Sequence, residues 1–195
     1  VHYKEEIMAL LESIMIPLGT KIPSFKLKNP DGKEYAAAKF FGEKGLLVIF
    51  TCNHCPYAIA VWPRVIRLAE YFRGKGINTV AINPNINPAY PDDSPVNMKR
   101  KIKELGIDFP YLVDESQEVA RSFKAQCTPD IYFFGKDQKL VYHGRIDDNW
   151  KDEKAVTKEE LKEAVNNYAA GAPVPKKQYP SMGCSIKWRS DAFSD

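Results

Sequence analysis

The residues best suited to chemistry are two cysteines in the stretch Cys52-Asn53-His54-Cys55-Pro56. This stretch directly follows the run 46–51, which is apolar and rich in β-branched residues. The pattern is typical of a β-strand that leads into a helix whose first turn carries the two cysteines. At this spacing the two sulfurs share one face of the turn and can close a small disulfide ring. The free N–H groups of a helix N-terminus favour a thiolate over a thiol. Spacing and placement together predict thiol redox chemistry.

The composition sets bounds on the architecture and on the partners. A chain of 195 residues with 44% hydrophobic content can bury one core, so one domain is the default. The net charge of +3 arises from mixed basic and acidic residues and gives no reason to expect a nucleic-acid or membrane surface. The longest wholly apolar run, Leu46 to Phe50, is too short to span a bilayer. Four cysteines are too few for a disulfide-stapled scaffold.

The N-terminal segment, residues 1–16, has a helix-like pattern that is interrupted by Glu12. It lacks the small-residue cleavage pattern of a secretory signal, so we predict a cytoplasmic protein. Two origins of the first residue stay open. Either Met8 is the native start and the Lys-Glu-Glu ahead of it is a translated ribosome-binding site, or Val1 is a processed end.

The order of apolar runs and turn signals predicts an α/β sandwich. Hairpins are expected across 29–32 and 135–138, and the strands 46–51 and 77–83 alternate with helices between them. Because the dithiol follows a central strand, it lies at the edge where such sheets place their ligands. We divide the chain into an N-terminal helical extension, a domain and a C-terminal tail packed on the domain: residues 1–16, 17–170 and 171–195.

A second motif, Cys127-Thr128-Pro129-Asp130, comes just before the apolar run 131–134. A proline that enters a strand lies at an edge or in a tight turn, often in the cis form. This order of strand, CxxC, helix and Thr-Pro before a strand resembles the thioredoxin superfamily. Within it the chain is similar to a peroxiredoxin-like, thiol-disulfide-isomerase-like bacterial family over residues 18–188. The motifs that carry the similarity are 52–56, 90–95, 114–120, 127–130, 144–148 and 183–188.

The resemblance implies a thioredoxin-like fold, with a central mixed sheet flanked by helices, an N-terminal β-hairpin extension and the C-terminal tail. It implies that Cys52 is the exposed, attacking sulfur, that Cys55 is its more buried partner, and that Pro129 is cis. The Thr128 backbone would pair with an extended substrate strand. The implied chemistry is exchange with protein or low-molecular-weight thiols and disulfides, without an organic cofactor, by a monomer or a homodimer.

His54 lies between the cysteines, so its imidazole is close to both sulfurs. As an imidazolium beside Cys52 it would stabilise the thiolate, lower the pKa of that thiol and make the pair a stronger oxidant. The alternative is a half-exposed histidine that only caps the turn. We take the electrostatic role as the prediction.

Two other activities compete with thiol–disulfide exchange. Cys55 followed by proline resembles the peroxide-attacking cysteine of peroxiredoxins, but Cys52 and Val48 replace the threonine and proline of that family, and no arginine lies around Thr128. Thiol peroxidase activity is therefore expected to be weak.

Copper or zinc binding would use Cys52, His54, Cys55 and Cys127 as soft ligands. Only one cysteine pair is present, so we predict no metal site.

Several residues keep two interpretations. Cys127 is more simply a buried apolar group than a third redox thiol. Cys184 in the tail is more simply structural than a mobile resolving thiol. Asp147 and Asp148 are predicted to form a solvated turn rather than a substrate-orienting or ion-paired site. The segment 90–95 is either a lid or a rigid connector.

Overall fold

The structure of the protein is a computed structural model that describes residues 10–189. Within that range it contains four α-helices, none of them long and apolar enough to cross a bilayer, and ten β-strands. The helices are α1 Pro56–Arg73, α2 Pro95–Leu105, α3 Glu118–Ser122 and α4 Glu160–Ala169. The strands are β1 Leu10–Glu12, β2 Lys26–Lys28, β3 Glu34–Ala36, β4 Gly45–Phe50, β5 Ile77–Asn83, β6 Tyr111–Val113, β7 Cys127–Thr128, β8 Asp130–Gly135, β9 Leu140–Gly144 and β10 Met182–Ser185.

Seven strands form the main sheet, in the order β3-β2-β6-β5-β4-β8-β9. The central strand β4 runs parallel to β5 and antiparallel to β8 and pairs with both along its whole length. Every β4 residue is buried, because the sheet is covered on both faces, and this explains its continuous apolar run. Both predicted hairpins are present, as β2–β3 and β8–β9.

Alternate residues of β4 anchor two apolar cores, one on each face of the main sheet. Leu47 and Ile49 pack in the core that includes Trp62 of α1, whereas Val48 and Phe50 pack in the core that includes Phe123, at the end of α3. The end of β4 is thereby fixed from both sides. The segment that follows it, residues 51–55, starts from a rigid support and leads directly into α1.

A second, smaller sheet consists of three short strands in the order β1-β10-β7. Cys184 of β10 lies in register with Leu10 of β1 on one side and with Thr128 of β7 on the other. The segment predicted as a tail therefore supplies the middle strand of a sheet.

The helix predicted over residues 1–16 is wrong in its described part. Leu10–Glu12 is strand β1, and residues 13–16 are not helical; residues 1–9 lie outside the described residues. The reason is long-range pairing, since β1 bonds to β10 and the Ser13 N–H donates to the Ser181 carbonyl at 2.9 Å. Such partners override the local helical preference of the segment.

Candidate active site

The two cysteines of the CxxC lie on the loop between β4 and α1, and both are thiols in this structure. Cys55 is the N-cap residue of α1, and Pro56 is the first residue of the helix. Both cysteines are 0% exposed. The implied exposure of Cys52 is therefore wrong, because Thr128 and Cys184 pack over the pair.

Thr128 contacts both sulfurs. Its hydroxyl lies 3.3 Å from Cys52 Sγ, and its carbonyl oxygen accepts from the Cys55 thiol at 3.3 Å. The Thr128–Pro129 peptide bond is cis, which confirms that prediction. Because β8 begins at Asp130 and pairs with β4, the main sheet fixes these residues opposite the dithiol.

The edge of Thr128 that the resemblance assigns to a substrate strand is occupied by the protein itself. Cys184 of β10 is paired with Thr128. A Cβ atom at Gly183 would collide with the Thr128 carbonyl oxygen, so only glycine allows the strand to come this close. The predicted availability of the Thr128 backbone is wrong for this structure, since the tail fills the groove.

The two sulfurs differ in how easily they ionise. The pKa of Cys55 is well below the ordinary thiol value, because the Cys184 and Cys52 thiols donate hydrogen bonds to its sulfur. The pKa of Cys52 is well above that value, because burial disfavours its thiolate and because the Cys55 sulfur and the Asp93 carboxylate oppose a second negative charge. The N-terminus of α1 also favours charge at Cys55. Of the two sulfurs, Cys55 is therefore the one at which ionisation is favoured.

His54 is held by a carboxylate that sequence reasoning did not single out. Its Nδ1 pairs with Asp93 Oδ2, and its ring stacks on Tyr90 at a centroid distance of 4.8 Å. The other oxygen of the fully buried Asp93 accepts from the Asn53 backbone N–H at 2.6 Å and from Asn83 Nδ2 at 3.0 Å. One carboxylate thus fixes the CxxC loop and the imidazole together.

This pairing changes the role of His54. A ring nitrogen of His54 lies within 4.8 Å of the Cys52 sulfur, as predicted, but the same is true of an Asp93 oxygen. The predicted lowering of the Cys52 pKa is wrong, because burial and the Asp93 charge raise it. His54 instead ties the CxxC loop to the segment 90–93, through Asp93 and Tyr90.

The two remaining cysteines have different surroundings. Cys184 forms one buried cluster with Cys52 and Cys55. Cys127 precedes Thr128 on β7, and neighbouring side chains on a strand point to opposite faces. Its sulfur lies 3.9 Å from the Pro129 carbonyl oxygen, and burial raises its pKa far above the ordinary thiol value. Cys184 therefore packs in one cluster with the dithiol, and Cys127 is not part of that cluster.

The solvated turn predicted at Asp147 is wrong. Asp147 is 6% exposed and pairs with Arg64 of α1 at 2.5 Å. The same guanidinium donates to the carbonyl oxygens of Asn149 and Trp150 at 2.8 and 2.6 Å. An arginine on the helix that follows the dithiol thus anchors this loop, which explains the burial of Asp147.

Three possible metal ligands lie near each other: Cys52, His54 and Asp93, with donor atoms within 4.8 Å of one another. This set differs from the predicted one, which used Cys55 and Cys127 and did not contain Asp93. Because His54 and Asp93 are already bonded to each other, a metal ion would have to separate them. The absence of a metal site stays a prediction.

Comparison with known proteins gives a family and a fold. The chain matches the Redoxin family over residues 17–161. A solved structure of an uncharacterized conserved protein from Geobacillus kaustophilus is 45% identical, with a TM-score of 0.88 over 94% of this chain and 98% of that one. The thiol-disulfide oxidoreductase ResA of Bacillus thuringiensis subsp. konkukian is 23% identical over 64% of this chain and 67% of ResA. The thioredoxin domain of a thiol-disulfide oxidoreductase from Bacteroides vulgatus is 17% identical, with a TM-score of 0.55 over 66% of this chain and 89% of that one. The predicted superfamily and thioredoxin-like fold are confirmed.

Proposed function

We propose that the Cys52–Cys55 pair carries out thiol–disulfide exchange with protein or low-molecular-weight partners, since the chain belongs to the Redoxin family. The predicted class of enzyme, thiol–disulfide oxidoreductase, agrees with the activity for which the ResA relatives are named. The observation that carries the proposal is the pair of thiols that contact Thr128, Cys52 at its hydroxyl and Cys55 at its carbonyl oxygen, with ionisation favoured at Cys55.

In the proposed reaction the Cys55 thiolate attacks one sulfur of the partner's disulfide. A mixed disulfide forms, and the second sulfur of the partner leaves as a thiolate that takes up a proton. Cys52 then loses its proton and attacks the Cys55 sulfur, which forms the Cys52–Cys55 disulfide and releases the first sulfur of the partner. The partner gains the two electrons that the dithiol loses. The His54–Asp93 pair holds the loop in place during both steps.

The test is reduction of insulin disulfides in the presence of dithiothreitol. We expect Cys55→Ser to lose the catalysed rate completely, because no thiolate remains to attack. Cys127→Ser is the matched control, since it changes a buried cysteine outside the sulfur cluster, and it should keep the wild-type rate. A Cys55→Ser variant that reduces insulin as fast as the wild type would refute the proposal.

Thiol peroxidase activity is the second candidate, because a thiolate at Cys55 also suits attack on a peroxide. Cys52 occupies the place of the peroxiredoxin threonine, so we expect hydrogen peroxide to oxidise Cys55 only as slowly as it oxidises a free cysteine. Stopped-flow oxidation of the reduced protein measures this rate, and a much faster one would make peroxide the favoured substrate.

The remaining properties are proposals of the same kind. We infer a cytoplasmic protein, monomeric or homodimeric, that binds neither nucleic acid nor membranes. The mixed charge, with a net value of +3, supports the last point.

A further inference from the structure

Three sulfurs, not two, meet at the candidate active site. Cys52, Cys55 and Cys184 form one cluster with Ala58, and none of these residues is more than 2% exposed. The Cys55 sulfur lies in this cluster close enough to the thiols of both Cys52 and Cys184 for each of them to affect its ionisation. Cys55 is therefore the sulfur that both of the others can reach.

Strand β10 presents Cys184 in the way that a bound substrate would present its own cysteine. It adds an antiparallel strand to the edge at Thr128, with Cys184 directly opposite Thr128. Gly183 permits the close approach of the two backbones, and the Ile186 N–H donates to the Gln126 carbonyl just beyond the strand, at 2.9 Å. The position of Cys184 thus follows from backbone pairing on either side of it.

We propose that Cys184 is a second resolving thiol, which competes with Cys52 for the mixed disulfide at Cys55. This inference rests on the proposed function, which supplies that mixed disulfide. Cys184 loses its proton and attacks the Cys55 sulfur, a Cys55–Cys184 disulfide forms, and the partner's sulfur leaves as a thiolate and is protonated. The electron balance equals that of resolution by Cys52.

The two products differ in what they do to the site. A Cys52–Cys55 disulfide leaves β10 attached by hydrogen bonds alone, whereas a Cys55–Cys184 disulfide ties β10 covalently over Thr128. The second product therefore holds the groove closed to any extended partner. Conversion of one into the other needs no further oxidant, since attack of Cys52 on Cys55 releases Cys184.

The test uses the reduced full-length protein and glutathione disulfide as the probe. After acid quenching and alkylation, mass spectrometry maps the disulfides in the wild type, Cys52→Ser, Cys184→Ser and the double variant. We expect Cys52→Ser to form the Cys55–Cys184 disulfide and Cys184→Ser to form Cys52–Cys55. The double variant should accumulate glutathione on Cys55, and the adduct should persist about tenfold longer than in Cys52→Ser, which has an internal thiol in reach.

The outcomes separate the two proposals. If Cys52→Ser accumulates the glutathione adduct as the double variant does, while the wild type forms Cys52–Cys55, Cys184 is not a resolving thiol and the proposed function stands. If glutathione never reaches Cys55 in any of the proteins, both proposals fail. Cys127→Ser is the control for loss of a buried cysteine, and we expect it to give the wild-type disulfides.

Discussion

The two sheets of this protein are built in opposite ways. In the main sheet, β4 pairs with both neighbours over six residues and is buried throughout. In the small sheet, β7 has two residues and β1 three, and the strands come from distant parts of the chain. The small sheet nevertheless covers the sulfurs, because β10 pairs beside Thr128 and carries Cys184. Stability therefore resides mainly in one sheet, and access to the dithiol is controlled by the other.

The largest expected effect comes from the main sheet. Phe133 of β8 is 0% exposed and packs edge-on against Tyr168 at 5.2 Å between ring centroids. Phe133→Ala should lower the free energy of unfolding by about 3–5 kcal/mol, because it leaves a cavity in the core. Urea denaturation measures this loss, and Phe133→Leu should lose clearly less. A loss below that of a surface substitution would show that the main sheet is not the stable unit.

A pH dependence is also expected from the main sheet. Burial raises the pKa of Asp114, which follows β6 and accepts from the Ala120 N–H at 2.8 Å, to about 6. Between pH 4 and pH 6 the folded state then holds a proton that the unfolded state has lost. Stability should thus fall as the pH rises through this window, by about 1.4 kcal/mol per unit of pKa difference.

The variant Asp114→Asn cannot titrate at this position, so we expect it to flatten this slope in urea denaturation between pH 4 and pH 6. Alkylation of Cys55 at a fixed pH should not change, because Asp114 lies outside the small sheet. An unchanged slope would assign the titration to another group.

The smallest effect on stability and the most direct test of access come from the small sheet. Gly183→Ala places a methyl group against the Thr128 carbonyl oxygen and should detach β10. We expect iodoacetamide to modify Cys55 about tenfold faster, since local opening of a short pairing costs far less than global unfolding. Gly74→Ala is the matched control, because its new Cβ meets only Tyr71 O at 3.4 Å. Equal rates in the two variants would mean that β10 does not control access.

Much of the site could be predicted because its signals are local. The cysteine spacing, the apolar run before it, the proline in the first turn of α1 and the proline before β8 are all readable over a few residues. The role of Asp93 was missed for the same reason. A carboxylate just before the N-cap Ser94 resembles a surface group, and only its burial shows that it holds His54 and Asn53.

The sequence by itself determined the dithiol, the central strand that carries it and the cis-proline element opposite it, because each depends on neighbours along the chain. Only the tertiary structure decided at which sulfur ionisation is favoured and which further cysteine packs against it. These properties depend on burial and on the pairing of Leu10, Thr128 and Cys184, which are far apart in the chain and are joined by backbone hydrogen bonds that carry no sequence signal.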